Sequence, residues 1–372
     1  MPRFSQQPIN GQRSGLRHCN MLPIRNVIGR FGFIVAIITL IAIVGIVIWY
    51  NLQLSPVGGD IDQLRQVIVK PGDSSSQIGQ ELEKRMIVKN GLVFDIYTKL
   101  TGKNSILQAG TYRLSPAESV QQIAEHFVKG NVDQFSITFY PGATLSDNTN
   151  TTESKKLDAK TVLRRAGYSD GEINEAFAGS YDSPIFDGKP AGVGLEGYIY
   201  GETYNFNSGA TVADILKKVF GEFYKVINEN GLIDGFKAHG LNLYEGITLA
   251  SIIQREVNGE QDQRQVSQVF YSRMNIGMML GSDVTYKYIA AKNGLPDNPN
   301  IDSPYNTRIH TGLPPGPIAS PGLTSLRAAV NPAEGSYLFF LAGDDKKTYF
   351  GYTDADHQAN IANHCAQNCA SQ

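Results

Sequence analysis

A run of twenty uncharged residues near the N-terminus limits what this chain can fold into more than any other feature. Residues 31–50 read FGFIVAIITLIAIVGIVIWY. A helix of that length spans roughly 30 Å, the thickness of bilayer hydrocarbon. The sequence therefore predicts a single transmembrane helix over residues 31–50. A cleaved signal peptide is the alternative, but the run exceeds the roughly 7–15 residues of a signal-peptide core, and no small-residue cleavage site follows.

The charges on either side of this run predict its orientation. Residues 1–30 carry five arginines and no acid, although the whole chain has 33 basic and 35 acidic residues. Under the positive-inside bias, residues 1–30 form a cytoplasmic tail, and Trp49 and Tyr50 lie at the outer interface. Everything from Asn51 onward is then extracytoplasmic and anchored to the cytoplasmic membrane. The nearly balanced net charge does not favour a nucleic-acid-binding protein.

The rest of the chain divides into a stalk, two α+β domains and a tail. Polar residues with prolines and glycines predict a stalk over 51–65. Strand and helix patterns predict a small α+β domain over 66–145, and a larger α+β domain, with helices before a terminal hairpin, over 146–364. Residues 365–372 form the tail.

Cap and turn signals place elements within these domains. Ser74 and Gln77 form a capping box that predicts a helix after the Pro71-Gly72 turn. The segment 115–118 (SPAE) predicts another helix start, with proline at the first helical position. In the larger domain, apolar periodicity predicts helices from Thr211 to about Asn230, from Leu243 to Val257 and from Asp262 to Met274, and a hairpin over 336–352.

The three cysteines are too few for a disulfide framework in a chain of this size. Cys365 and Cys369 lie four residues apart in the tail, where a local disulfide or a mobile end is the simpler interpretation. A metal site built from these two with His357 and His364 is not favoured, and no metal or other cofactor is expected.

One acidic residue stands out because of its apolar neighbours. Within LYEGITLASIIQREV, Glu256 shares a helical face with Leu249, Ile252 and Ile253. Desolvation favours the protonated carboxyl and raises its pKa toward the operating pH, as a general acid requires. An ion pair with an arginine such as Arg264, or a position in water at the helix end, is the alternative.

Other residues are candidates for the same site. Glu245 lies about 16 Å back along the helix, too far to form a glycosidase pair with Glu256. Glu196, Asp283 and Asp302 remain possible neighbours, although Asp283 could equally be a helix N-cap. The proline-rich and glycine-rich segment 303–322 predicts a long structured loop that lines a site or serves as a rigid connector. Phosphate-loop, zinc-protease and serine-hydrolase motifs do not occur in the sequence.

Six longer segments occur in a fixed order along the chain. They are LEGYIYGETY at 195–204, TLASIIQRE at 248–256, SRMNIGMMLGSDVTY at 272–286, YNTRIHTGLPPGPIASPG at 305–322, SLRAAVNP at 325–332 and SYLFFLAG at 336–343. In these segments the chain resembles the endolytic murein transglycosylases, or YceG-like proteins.

The resemblance implies an activity, a layout and partners. It implies a lytic transglycosylase that cuts the β-1,4 bond between N-acetylmuramic acid and N-acetylglucosamine in nascent strands, leaves 1,6-anhydro ends and so terminates elongation. The small domain is expected to be LysM-like and to help hold glycan. A peptidoglycan synthase is an implied partner, and no metal or organic cofactor is implied.

The resemblance also implies roles for particular residues. The catalytic glutamate falls on Glu256. Substrate-binding residues are expected at Glu196, Asp283, Tyr305, Asn306, Thr307, Gly312, Pro314 and Pro315.

The chain departs from the family pattern at several positions. Gln254 replaces an acid, Val284 replaces a proline, and Gly201-Glu202 replaces Pro-Asp. These changes bear on substrate detail more than on reaction type. Two other functions remain open, namely a non-catalytic peptidoglycan-binding scaffold and a glycan hydrolase that activates water with a second carboxylate.

Overall fold

The computed structural model of the protein describes residues 24–130, 134–146 and 158–365. Most of the basic N-terminal tail, the polar loop predicted over 147–156, and Cys369 therefore lie outside the described residues. The chain divides into two compact units, with the boundary between Gln53 and Leu54 in the sequence.

The described residues of the first unit form one long helix, which ends one residue past the boundary. Helix α1 covers Ile24–Leu54, and its segment Phe33–Leu54 is apolar and long enough to cross a membrane. Its apolar side chains from Phe33 to Trp49 are exposed. The helix predicted over residues 31–50 is thus present, and it continues four residues into the segment predicted as a stalk.

The second unit begins with a small α+β module. Strands β1 (Arg65–Val69) and β2 (Gly110–Leu114) pair antiparallel, and helices α2 (Ser75–Lys84), α3 (Gly91–Leu100) and α4 (Val120–Lys129) complete the module. Its core holds Phe94, Tyr112 and Phe127, whose aromatic rings meet edge to face.

Two glycines let α2 and α3 approach each other closely. A Cβ at Gly79 would lie 2.3 Å from the carbonyl oxygen of Gly91, and a Cβ at Gly91 would lie equally close to Gly79. Any side chain at either position would push the helices apart. The predicted Ser74–Gln77 capping box is confirmed at the start of α2.

The helix predicted to start at residues 115–118 begins later. Ser119 is the N-cap of α4 and forms a capping box with Gln122. The backbone N–H of Ser115 does donate to Glu118 Oε2 at 2.9 Å, but this bond closes a turn before the helix. The prediction was wrong because two cap-like patterns follow one another and the second one starts the helix.

The larger part of the second unit is mainly helical. Strands β3 (Gln134–Thr138) and β4 (Thr203–Asn207) form an antiparallel ribbon, with a short 3-10 turn at Pro184–Phe186. The helices are α5 (Ala159–Arg165), α6 (Asp170–Ala178), α7 (Val212–Glu229), α8 (Leu232–Ala238), α9 (Leu243–Glu256), α10 (Glu260–Asn275), α11 (Asp283–Asn293) and α12 (Leu323–Val330).

A hairpin and a helix end the described chain. Strands β5 (Phe339–Ala342) and β6 (Thr348–Gly351) pair antiparallel and are followed by α13 (Asp354–His364). This hairpin and the three helices predicted from periodicity are confirmed. The fold is therefore a mixture of helices and short antiparallel ladders, preceded by one apolar helix, as the α+β prediction expected.

Helix α9 lies at the centre of the core. It packs against α8, α10, α11 and α12, and Leu249, Ile252 and Ile253 are fully buried. Because the aliphatic face of α9 is enclosed on several sides, the position of its last residue is set by the core.

Candidate active site

Glu256 is the last residue of α9, and its side chain is half-buried. It lines a cavity of about 690 Å³ whose other walls come from α10, α11, the β5–β6 hairpin and α13. The predicted apolar face is confirmed, since the three aliphatic residues that precede Glu256 on it are buried. The carboxyl therefore lies where the core ends and an open cavity begins.

Ser282 makes a direct contact with this carboxyl. Its hydroxyl donates a hydrogen bond to Glu256 Oε1. Ser282 is also the N-cap residue of α11, but its side chain caps no backbone N–H of that helix. Asp283, which could have been the N-cap, is instead the first helical residue.

The environment of Glu256 favours its protonated form. Burial raises the pKa of its carboxyl to about 7, the hydrogen bond from Ser282 opposes this rise, and the negative charge of Asp283 adds to it. The cations Lys287 and Arg273 lower the pKa by smaller amounts. Near neutral pH, substantial fractions of both the acid and the carboxylate are present.

Nearby arginines bond to groups other than Glu256. Arg264 Nε donates to the carbonyl oxygen of Asn331 at 2.9 Å, and Arg273 Nε donates to that of Leu338 at 2.6 Å. Within residues 24–130, 134–146 and 158–365, no ion pair is formed by Glu256. The alternative in which this carboxyl pairs with Arg264 is therefore not observed.

A charged pair lies in the same cavity. Arg308 Nη1 is 2.5 Å from Asp283 Oδ1, and both residues line the cavity together with Lys287. Asp283, which the sequence suggested as a possible neighbour of Glu256, thus lines the same cavity. Neither Ser282 nor these two cations had been singled out, because a serine before an aspartate reads only as a cap.

Asn306 and Thr307 are almost fully buried, at 0% and 1% exposure. The amide of Asn306 donates to the carbonyl oxygens of Pro299 and Ile301, both at 2.9 Å. Thr307 Oγ1 accepts from the backbone N–H of Ser282 at 3.1 Å. These contacts hold the loop and the start of α11 together, which favours a positioning role, and their role as substrate ligands stays a prediction.

The other predicted loop residues do not line the cavity of Glu256. Pro315 accepts a hydrogen bond from Tyr244 at 2.7 Å, the Tyr305 ring lies 5.5 Å from that of Tyr288, and Gly312 has a φ of +79°. Neither these residues nor the buried Pro314 belongs to the lining of the cavity that contains Glu256.

Glu196 forms a second polar centre. Its carboxyl accepts from the backbone N–H of Leu145 at 3.1 Å and from the Tyr288 hydroxyl at 3.2 Å. Burial raises the pKa of Glu196 to about 7, although these bonds and the charge of Lys292 oppose the rise. Glu196 does not line the cavity of Glu256, and Asp302, the third candidate neighbour, is exposed and also does not line it.

Gln254, one of the positions where the chain departs from the family pattern, has a structural role. Its side-chain oxygen accepts from the backbone N–H of Gly322 at 2.9 Å and from the Ser325 hydroxyl at 3.1 Å. Because both of these bonds need only an acceptor, an amide oxygen serves them as a carboxylate would.

The C-terminal residues also reach the cavity. Cys365, only 2% exposed, and His357 both line it, and Cys365 is disulfide-bonded. The sequence had assigned this cysteine to a separate tail. The spacing of residues along the chain does not indicate that α13 packs on the β5–β6 hairpin. This packing places the C-terminal end of α13 at the cavity that Glu256 lines.

Comparisons with known proteins agree on one family. A sequence profile of the YceG-like family matches residues 67–363. A Streptococcus pneumoniae (serotype 2, strain D39) protein named endolytic murein transglycosylase is 28% identical over 336 residues, covering 84% of this chain and 60% of that protein. A Bacillus subtilis (strain 168) protein of the same name is 30% identical over 325 residues, covering 82% and 86%.

A solved structure also resembles this fold. The 2.6 Å crystal structure of a YceG-like protein from Listeria monocytogenes superposes with a TM-score of 0.51 at 26% identity, over 80% of this chain and 98% of that one. The chain spans about 60% of the length of the pneumococcal relative. Since the family profile matches most of the chain, this protein belongs to the YceG-like family.

Proposed function

We propose that this protein is an endolytic murein transglycosylase with Glu256 as its catalytic acid and base. The proposal rests mainly on one observation: a carboxyl with a pKa near 7 lies at the edge of a cavity of about 690 Å³. The names of the pneumococcal and Bacillus relatives support the same assignment. The substrate is the glycan strand of peptidoglycan.

The proposed reaction needs one carboxyl that exchanges a single proton. Protonated Glu256 donates to the glycosidic oxygen as the bond between N-acetylmuramic acid and N-acetylglucosamine breaks. The resulting carboxylate takes the proton of the muramic acid C6 hydroxyl, whose oxygen bonds to C1. No water is consumed, a 1,6-anhydro end forms, and Glu256 regains its proton.

The cavity has groups suited to this cycle. The Ser282 hydroxyl fixes one oxygen of the carboxyl, which orients the other toward the cavity. Lys287 and Arg273 stabilise the carboxylate that is present between the two proton transfers. The Asp283–Arg308 pair borders the same space and is placed to contact sugar hydroxyls.

The remaining assignments follow the layout expected from the sequence. We place residues 1–30 in the cytoplasm, the helix over 31–50 in the cytoplasmic membrane and the stalk over 51–65 outside it. Residues 66–145 then form a LysM-like module that holds glycan, and residues 146–364 form the catalytic domain, followed by the tail. A peptidoglycan synthase is the proposed protein partner, since cutting nascent strands requires access to them.

Product analysis of a matched set of variants tests the proposal. The full chain in detergent is incubated with purified glycan strands, and the released muropeptides are weighed by mass spectrometry. Anhydro ends are expected from the wild type, and Glu256→Gln should reduce their formation by about 10²-fold or more. Glu245→Gln, on the same helix, keeps its capping bond to Asn242 and should retain activity.

The same experiment distinguishes two other functions. Asp262 and Asp283 line the cavity, so a hydrolase that activates water with a second carboxylate is a specific alternative. Hydrolysis leaves ends heavier by one water than anhydro ends. Retained glycan binding without any cleavage by the wild type would instead identify a non-catalytic scaffold and overturn the proposal.

A further inference from the structure

A second groove lies along β3, at the edge of this strand that does not pair with β4. It has a volume of about 360 Å³, which is within the range of roughly 300–1,000 Å³ that ligand pockets occupy. Its walls are formed by all five residues of β3, by the segment 61–64, and by parts of β2, α4 and α5. We call this the β3 groove.

The strand that lines the groove has a free edge. β3 pairs with β4 so that Ile137 is opposite Tyr204, and Phe139 continues the register by donating to Glu202 at 3.0 Å. Alternation along an antiparallel pair then directs the N–H and C=O groups of Gln134, Ser136 and Thr138 away from β4. In the described part of the chain these outward backbone groups have no hydrogen-bond partner.

The free edge is turned toward the groove. Phe135 and Ile137 point to the core face of the ribbon, whereas Gln134, Ser136 and Thr138 point to the opposite face. Residues of both faces line the groove, which requires that the edge between the faces borders it. Unpaired strand edges of this kind bind extended peptides by adding a strand.

A buried arginine lies in the groove. Arg113 is 7% exposed, its guanidinium lies 3.5 Å from the centre of the Tyr168 ring, and its Nη1 donates to the Ala166 carbonyl oxygen at 2.7 Å. Over the described ranges its Nε has no hydrogen-bond partner, and the negative charge of Glu172 acts on the guanidinium without a direct ion pair. A cation held in this way favours a carboxylate in the groove.

The other charges in the groove largely compensate one another. Glu118 pairs with His126 at 2.8 Å, and Arg165 pairs with Asp60 at 3.2 Å. Asp62 is exposed at the groove. Arg113 therefore remains as a buried cation that lines the groove and is in no direct ion pair within the described residues.

We propose that the β3 groove binds a short extended peptide that carries a carboxylate, by pairing with the free edge of β3 near Arg113. Because β3 has only five residues and three outward positions, the groove suits a peptide of a few residues and not a long protein segment. In a murein-cutting enzyme this ligand is the peptide stem of the glycan strand, an identification that rests on the proposed function.

A proline substitution tests the edge directly. Ser136→Pro removes an outward N–H and leaves the ladder to β4 intact, which is a position where an edge strand tolerates proline. Ser136→Ala keeps that N–H and loses only the hydroxyl that bonds to Asn205. Binding of an N-acetylated murein tetrapeptide to the full chain in detergent is measured by titration calorimetry.

The wild type and Ser136→Ala should bind the tetrapeptide alike, within about twofold, and Ser136→Pro should bind it at least fivefold more weakly. A tetrapeptide whose carboxyls are converted to amides should also bind at least fivefold more weakly to the wild type, and this comparison does not depend on how any variant folds. Absence of saturable binding, or equal binding to Ser136→Pro, would overturn the inference. Equal binding of an unrelated acidic peptide of the same length would overturn the assignment to the stem.

An assay of the cleavage of peptide-free glycan strands separates the test of peptide binding from the test of the proposed function. The wild type alone is assayed on such strands, and it should cut them without any peptide present, because the β3 groove is lined by none of the residues around Glu256. Failure of the wild type to cut them would count against the transglycosylase proposal, while peptide binding would still report on the groove.

Discussion

Ser282 occupies the N-cap of α11, yet its hydroxyl donates to Glu256 and not to the helix that it precedes. A serine that caps a helix usually accepts from an N–H of the first turn, which is worth about 0.5–2 kcal/mol. Helix α11 forgoes that contribution, and Asp283 in its first turn offsets part of the loss through the helix dipole. The position of Ser282 therefore serves the carboxyl of α9 more than its own helix.

Replacing this serine should shift the pH dependence of glycan cleavage. For the wild type, the rate should fall as pH rises above about 7, because the general acid loses its proton there. Ser282→Ala removes a hydrogen bond that favours the carboxylate, so the pKa of Glu256 rises and the high-pH limb moves up by roughly one unit. The rate of anhydro-end formation between pH 5 and pH 9 measures both profiles.

Ser325→Ala is the control for this substitution. Ser325 donates to Gln254 and not to Glu256, so its loss should leave the midpoint of the limb in place. An unchanged midpoint in Ser282→Ala would show that the hydroxyl does not act on the titrating group.

Replacing Asp283 should move the high-pH limb of the rate profile to lower pH. The negative charge of Asp283 raises the pKa of Glu256, so Asp283→Asn should lower that pKa and shift the loss of activity to lower pH. Asp262→Asn, in the same cavity but bonded to Thr348 at 2.7 Å, should shift it less. Shifts of equal size in the two variants would contradict a specific coupling between Asp283 and Glu256.

The loop that holds Ser282 should matter without touching substrate. Thr307→Val keeps the side-chain shape but leaves the buried N–H of Ser282 without its acceptor, which costs about 1–3 kcal/mol. Melting temperature should fall, and displacement of Ser282 should slow cleavage by about tenfold. Thr311→Val, at an exposed position of the same loop, should change neither, and a Thr307→Val variant with lower stability but full activity would exclude the positioning role.

The parts of the fold that local sequence determines were predictable. The apolar run, the periodicity of α7 and α9 and the Ser74–Gln77 capping box depend on neighbours within a turn or two, and the structure confirms them. The partial burial of Glu256 was predicted in the same way, from three aliphatic residues on its face. Its catalytic role came from the family resemblance and stays a proposal.

Contacts between distant segments were not predictable from local patterns. Ser282 and Glu256 are 26 residues apart, and Thr307 reaches Ser282 across 25 residues. A serine before an aspartate reads as a cap, and a threonine in a proline-rich loop reads as exposed. Only the packing of the loop against the start of α11 lets Ser282 bind the carboxyl of Glu256 and lets Thr307 hold the backbone of Ser282.

The second perturbed carboxyl should appear in stability measurements. Burial raises the pKa of Glu196 from its ordinary value of 4.5 to about 7, so the folded state holds the proton more tightly than the unfolded state. The free energy of unfolding is then unaffected by this group below about pH 4.5, falls as pH rises toward 7, and is reduced by its full amount above 7. Glu196→Gln cannot ionise, so it should be more stable than the wild type at pH 8 by about 1–3 kcal/mol.

Thermal unfolding of the full chain at pH 4.5 and pH 8 measures this difference. The melting temperature of Glu196→Gln should exceed that of the wild type at pH 8 and lie close to it at pH 4.5. Glu175→Gln, at an exposed position of α6, should show no such dependence on pH. Equal destabilisation of Glu196→Gln at both pH values would contradict this prediction. It would show that the hydrogen bonds that the Glu196 carboxyl accepts from Leu145 and Tyr288 stabilise the fold by more than the burial of its charge costs.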